Sequence, residues 1–262
     1  MDLEKEVCQE LQRVAENIVS ATNSMSNYMV VDKLHDIVSL KLKAATYIDS
    51  GIQKKRESKY KEAKLDICEA IFLYEEVMEE HIPEFYERML KKNPVDEKDK
   101  QKYRQLKQDN SEGLIQAYKF LGDIFTEEAN TGKAKELYGR AIAAFRATEE
   151  PTLFSRYLIG MICWLIRDKT NQQSVQECGR LAIGFFEECV SQGVGVQKAM
   201  DKKAYQFSCE GLGHLYREDI PGLRDDEKSY RYFCLANDSG LDCTGQLAHY
   251  KKTLFGKIKY VE

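Results

Sequence analysis

The chain has 262 residues, of which 43% are hydrophobic and 31% charged, with a formal net charge of −4. This length provides for one large helical domain or two small ones, and the near balance of charge disfavours nucleic acid as the main partner. No apolar run is long enough to span a bilayer, and the acidic, amphipathic start lacks the layout of a signal peptide. We therefore expect a cytoplasmic protein that binds neither nucleic acid nor membrane.

Amphipathic helices account for most of the first part of the chain. Apolar residues that recur every three or four positions predict helices at about 3–20, 32–57, 59–81 and 112–128. Because proline lacks an amide donor, Pro83 is expected to end the third of these helices. On the second, the residues expected to face the core are Leu34, Ile37, Val38, Leu42 and Ala45.

A polar segment, residues 84–112, follows the third helix. It is rich in lysine and acidic residues, and we predict a solvated insertion with a loop in its middle and a short helix around 83–91. Further helices are predicted after it, with Pro151 in the first turn of the second one. Their ranges are about 132–148, 151–168, 173–192, 198–217, 226–237 and 243–256.

These elements predict an all-α fold, an antiparallel helical-hairpin bundle of about nine helices with extra C-terminal helices. Residues 1–217 are expected to form the main helical domain, and residues 218–262 a divergent C-terminal helical extension. The basic and aromatic end of this extension is expected to pack on the bundle and to restrict a groove. The eight cysteines include no C-x-x-C pair and are expected to be reduced thiols.

One set of small and aromatic residues resembles a tetratricopeptide repeat, in which small residues let paired helices approach closely. Its members are Tyr118, Leu121, Gly122, Phe125, Ala134, Tyr138 and Ala141. A second set around Leu212, Gly213 and Tyr216 resembles the Sel1-type variant. The interval between such sets is not constant, whereas a solenoid keeps it nearly so. This resemblance implies a scaffold that binds unphosphorylated partners.

Five short motifs in chain order, which cover roughly residues 33–217, resemble the 14-3-3 family of phosphopeptide-binding adaptors. They are 65–68 (L-D-I-C) before Ile82-Pro83, Lys119 before Gly122-Asp123, Tyr138 with Ala141 before Pro151-Thr152, 156–162 (R-Y-L-I-G-M-I) and 181–190 (L-A-I-G-F-F-E-E-C-V). The resemblance implies a bundle of nine antiparallel helices around a groove that binds phosphoserine or phosphothreonine peptides in signal transduction.

The resemblance also implies a phosphopeptide-binding site in this chain. Convergent cations suit a phosphate, which carries nearly two charges and three acceptor oxygens. The cations at matching positions are Lys43, Lys54 and Lys119, and the apolar groove residues are Met161, Leu165 and Phe207.

The chain departs from the family at its strongest phosphate ligands. Ser50 stands at the position of the first arginine, and Thr126 and Glu127 replace the arginine-tyrosine pair. Loss of two arginines is expected to cost about 3–6 kcal/mol of phosphate binding. The asparagines that clamp the peptide backbone are replaced by Ile162 and by Gly211 or its neighbour Glu210.

The resemblance further implies a homodimer through the N-terminal helices. Val14-Ala15-Glu16 matches the family segment, but Ser20, Thr22 and Asn23 stand where its bridging ion pairs form. A dimer would therefore use apolar faces.

Catalytic signals are weak. None of the four histidines forms H-E-x-x-H or a zinc spacing with cysteine, and no phosphate-cradling glycine loop occurs. Cys209 and His214 could form a nucleophile-base pair, which is the weaker alternative. We expect no catalytic residue, no metal and no cofactor, and we expect phosphorylated or acidic peptide segments of other proteins as partners.

Overall fold

The computed structural model describes residues 28–90, 97–196, 198–253 and 256–261. Its helices are α1 Tyr28–Arg56, α2 Tyr60–Glu76, α3 Ile82–Leu90, α4 Glu97–Glu127, α5 Thr131–Arg146, α6 Leu153–Leu165, α7 Gln172–Gly193, α8 Ala199–Arg217, α9 Asp226–Asp238 and α10 Thr244–Leu247. Strands β1 (Tyr250–Lys252) and β2 (Ile258–Tyr260) form an antiparallel hairpin. The predicted all-α class is confirmed. The helix predicted at 3–20 lies outside the described residues.

The chain forms two compact units, Met1–Glu150 (unit 1) and Pro151–Glu262 (unit 2). Within each unit, helices that are consecutive in sequence pack as pairs: α1 with α2 and α4 with α5 in unit 1, then α6 with α7 and α8 with α9 in unit 2. Of the described helices, none is at once long enough and apolar enough to cross a membrane.

One face of α1 is buried, and the sequence predicts this face only in part. Leu34 and Ile37 are buried as expected, but Leu42 is 41% exposed. The buried face continues instead through Ala44 and Ile48. These residues are three, seven and four positions apart and share one face, whereas Leu42 lies about 140° around the helix from Ile37. The expected inward position of Leu42 was therefore wrong.

Pro83 does not end the helical segment that precedes it. Residues Val77–His81 form a π-helical turn, in which the Ile82 amide donates to the Val77 carbonyl, and α3 starts at Ile82. In the π-turn the hydrogen bonds span five residues instead of the four of an α-helix. The helical segment can therefore continue through Pro83, which has no amide to donate. The prediction that the proline blocks continuation was wrong.

The second half of the predicted insertion is helical, because α4 begins at Glu97 rather than near residue 112. Most of its charged residues are on the solvent side, and the opposite face, which includes Leu106 and Asn110, is buried. The Asn110 amide donates to the Tyr74 carbonyl at 2.8 Å. Gly113 lies against the same tyrosine, whose ring would be 2.4 Å from a Cβ at that position. Packing on α2 thus stabilises a helix in a segment whose polar composition predicts a loop.

Unit 2 is organised around α7 and α8. Thr152 is the N-cap of α6 and accepts a hydrogen bond from the Ser155 amide at 3.0 Å. Pro151 therefore precedes the helix, and its predicted place in the first turn was wrong. Phe186 of α7 is fully buried between the backbones of Gly160 in α6 and Gly211 in α8.

The helix predicted at 243–256 was also wrong. The four-residue α10 is followed by the β1–β2 hairpin, in which Tyr250 pairs with Tyr260. Alternation of tyrosine or isoleucine with lysine suits a half-buried strand better than a helix. Within unit 2 the hairpin packs on α9: the Tyr250 hydroxyl lies 2.5 Å from the buried Ser229 hydroxyl, and the Tyr260 amide donates to Asp226 at 3.2 Å.

Candidate functional site

Lys119 lies on α4 and is only 8% exposed. Its ammonium group contacts one oxygen of Asp123 at 2.7 Å, one helical turn further on. The other oxygen of Asp123 accepts a hydrogen bond from the Tyr138 hydroxyl of α5 at 2.8 Å. Burial, reinforced by the charge of Asp123, raises the pKa of Tyr138, so this hydroxyl stays protonated and donates. The charge of Lys119 is therefore balanced inside unit 1.

Lys54 lies in the last turn of α1 and is also engaged within unit 1. Its ammonium group lies 2.7 Å from Asp66 of α2. The same carboxylate oxygen accepts a hydrogen bond from Ser50 at 2.6 Å. Ser50, at the expected arginine position, therefore turns toward Asp66.

These two ion pairs belong to a larger set that we name the charged end of unit 1. Each of its lysines has its own carboxylate, and the distances within the pairs are 2.7–2.8 Å. The pairs are Lys54–Asp66, Lys55–Glu127, Lys64–Glu128 and Lys119–Asp123. With four lysines and four carboxylates, the charged end is formally neutral. It offers a phosphate fewer free charges than its lysine content suggests.

Lys43 stands apart from the charged end. It is exposed on α1 and lies three turns before Lys54, about 16 Å along the helix axis. No carboxylate within the described part of the chain forms an ion pair with it. Since Lys54 is turned to Asp66, the structure does not bring Lys43 and Lys54 together as ligands of one phosphate.

The predicted apolar groove residues lie in unit 2. Met161 and Leu165 are half-buried, one turn apart on α6. Phe207 is half-buried on α8, and its ring stacks at 5.8 Å on that of Tyr157. Tyr157 lies one turn before Met161, so an apolar stripe runs along α6 beside Phe207. We call these four residues the apolar stripe of unit 2.

The positions expected for the clamping asparagines lie in or against the core. Ile162 is fully buried, and a Cβ at Gly211 would come within 2.9 Å of the Phe186 ring. Neither Ile162 nor Gly211 offers a polar side chain to a peptide backbone, whereas the alternative position, Glu210, carries a half-buried carboxylate. Phe186, which packs against both α6 and α8, was not predicted from the sequence.

The structure also bears on the Cys209–His214 alternative. Burial raises the pKa of the Cys209 thiol to about 11, so the nucleophilic thiolate is scarce near neutral pH. Burial and the neighbouring Arg217 lower the pKa of His214, whose ring stands edge-on to Phe233 at 5.0 Å. These environments do not support an activated cysteine.

Comparisons with models of protein families, with curated proteins and with solved structures return no match to this chain. The fold alone defines its class, an all-α protein built from helical hairpins. The resemblance to the 14-3-3 family stays a prediction.

Proposed function

We propose that this chain is a non-catalytic cytoplasmic adaptor that binds peptide segments of partner proteins and does not require phosphate in them. The observation that carries the proposal is the pairing of Lys54 with Asp66 and of Lys119 with Asp123, each at 2.7 Å. A phosphate would compete with these carboxylates for the charge of the two lysines. Removing one partner of a partly buried ion pair is destabilising, and this cost opposes phosphate binding.

The apolar stripe of unit 2 supports the same proposal. Half-buried Met161, Leu165 and Phe207 give a partner segment apolar surface to cover, and covering it needs no charge. Aromatic residues and methionine are enriched at interfaces, because they are large and adapt to a partner at low cost. An amphipathic segment with aliphatic anchors is the partner that this surface suits.

The second candidate is a phosphopeptide-binding adaptor of the 14-3-3 type. The observation that favours it is the cationic character of α1, where exposed Lys43 lacks an acidic partner among the described residues and Lys54, Lys55 and Arg56 form the last turn. Phosphorylated or acidic segments would be its partners. In this form, the ion pairs of the charged end would open when phosphate binds.

Fluorescence anisotropy with matched phosphorylated and unphosphorylated peptide libraries separates the two candidates. We expect the two peptides of a binding pair to differ by less than about threefold in affinity, because the cations are already neutralised. A preference for phosphate of more than about tenfold that is lost in Lys54→Gln and Lys119→Gln would contradict the first candidate and support the second. Lys133→Gln, at an exposed pair with Glu136, is the matched control.

A homodimer through the N-terminal segment is part of the proposed function. Helix α2 exposes Leu65 (61%) and Phe72 (62%), which lie about two turns apart on one face. These two side chains offer apolar surface that a partner can cover. We propose that the N-terminal segment of a second copy covers it.

Sedimentation velocity tests the dimer. We expect a mass of about twice 30.3 kDa for the unmodified protein and a monomer for Phe72→Glu, because a buried carboxylate without a partner opposes association. Leu181→Glu, at a residue 57% exposed on unit 2, should leave the dimer intact. A monomeric unmodified protein, or a Phe72→Glu variant that still dimerises, would contradict the proposal.

A further inference from the structure

A π-helical turn joins α2 to α3 and gathers three metal-ligating side chains at one place. Glu76 is the last residue of α2, and Glu80 and His81 end the turn. One ligand atom from each of the three lies within 4.8 Å of the other two. The cluster shares no residue with the charged end of unit 1 or with the apolar stripe of unit 2, and neither proposed function uses it.

The π-turn creates this arrangement, which the sequence spacing does not predict. In an ordinary α-helix, residues five apart point about 140° away from each other, so Glu76 and His81 would lie on different faces. The wider π-turn has fewer degrees of rotation per residue and returns His81 to the side of Glu76. Both Glu76 and Glu80 then flank the imidazole. Pro83 accounts for the π-turn, but it does not require that two glutamates and a histidine occupy the positions that the turn brings together.

His81 has ring nitrogens that the fold does not satisfy. Its side chain is 15% exposed, and Nε2 lies 3.5 Å from Glu76 Oε1, which is long for a hydrogen bond. Its Nδ1 is buried and has no hydrogen-bond partner among the described residues. Nε2, the ring nitrogen beside Glu76, therefore makes no close hydrogen bond, and its lone pair can bind a ligand when Nδ1 carries the ring proton.

We propose that Glu76, Glu80 and His81 bind one divalent transition-metal ion of the Zn²⁺ class. Imidazole nitrogen and carboxylate oxygen are ligands that such ions accept, and three protein ligands leave a position for water. Ligand atoms of a tetrahedral zinc site lie about 3.4 Å apart, which rotation of the two glutamate side chains can reach from the present separation. The cation would also balance the charge of the two carboxylates.

A metal at this site would hold the α2–α3 junction in its π-helical form. The ligands come from one turn whose register exists only in the folded chain, so binding favours the folded state. The proposal does not depend on the adaptor function, because the site would bind metal whether or not a partner peptide binds.

Zn²⁺ titration of the full chain by calorimetry tests the proposal, with Co²⁺ absorption in the visible range as a second readout of nitrogen and oxygen ligation. We expect one equivalent to bind the unmodified protein. Glu80→Gln should weaken binding by about tenfold or more, and His81→Asn should abolish it. Glu79→Gln changes the neighbouring exposed residue and should bind as the unmodified protein does.

The outcomes that would overturn the proposal are equally defined. Absence of saturable binding to the folded, unmodified protein contradicts it. So does binding that survives both Glu80→Gln and His81→Asn, which would place the metal elsewhere, for example at the exposed thiol of Cys68. Circular dichroism confirms that each variant is folded, and Glu80→Gln, at an exposed residue, provides the test if His81→Asn does not fold.

Discussion

Replacing Asp123 with alanine is expected to lower the free energy of unfolding of unit 1 by about 3–5 kcal/mol. The carboxylate contacts the nearly buried Lys119 at 2.7 Å and accepts a hydrogen bond from Tyr138 at 2.8 Å. Its removal leaves an ammonium group without a partner in a place that water reaches poorly. Urea denaturation, followed by circular dichroism, measures the change.

Two controls separate this effect from a general loss of an ion pair. Glu136→Ala breaks the exposed Lys133–Glu136 pair and should cost much less than Asp123→Ala, because exposed ion pairs contribute little to stability. The double variant Lys119→Met with Asp123→Leu should recover most of the loss, because it removes both charges. If Asp123→Ala were no more destabilising than Glu136→Ala, Lys119 would not depend on its internal partner.

Replacing Phe186 with alanine is expected to lower the free energy of unfolding of unit 2 by about 3–5 kcal/mol. The ring is fully buried and lies in contact with the backbones of α6 and α8, because Gly160 and Gly211 have no side chains to keep it out. Its ring centroid is 5.9 Å from that of Tyr157, which belongs to the apolar stripe. The variant creates a cavity that three helices line.

Leu181→Ala on the same helix is the control, because Leu181 is 57% exposed and its truncation should change stability by about 0.5 kcal/mol or less. Both variants are measured by urea denaturation under the same conditions. Equal stabilities of the two variants would show that the α6–α7–α8 packing does not rest on Phe186.

Much of the helical architecture is predictable, because apolar residues at intervals of three and four mark a buried face regardless of the surroundings. The predicted helix at 173–192 matches Gln172–Gly193, and that at 226–237 matches Asp226–Asp238. Which face of a helix is buried is harder to predict where apolar residues are abundant. Leu42 illustrates this, since it is as apolar as Ile48 but lies off the packed face.

The sequence failed where tertiary contacts override local signals. Residues 97–112 look solvated by composition, yet Leu106 and Asn110 bury one side of a helix against α2. Pro83 usually ends a helix, but here a π-turn accommodates it. The same turn gathers the proposed metal ligands, and a search for α-helical spacings could not find them.

Some ion pairs of the candidate site are predictable from the sequence, and others depend on tertiary packing. The Lys119–Asp123 pair has the i, i+4 spacing at which side chains meet on a helix, so it was readable from the sequence. The Lys54–Asp66 and Lys55–Glu127 pairs join different helices and depend on how those helices pack. Counting lysines therefore overstated the free positive charge of unit 1.

The most direct test of the account is side-chain NMR of the lysine ammonium and adjacent methylene groups during titration with phosphoserine peptides. The central claim is that Lys54 and Lys119 are held by Asp66 and Asp123 and are not free to bind phosphate. We predict that the signals of both lysines stay unchanged through the titration. Saturable shifts of both signals at the same peptide concentration would contradict the claim and establish a phosphate site at the charged end of unit 1.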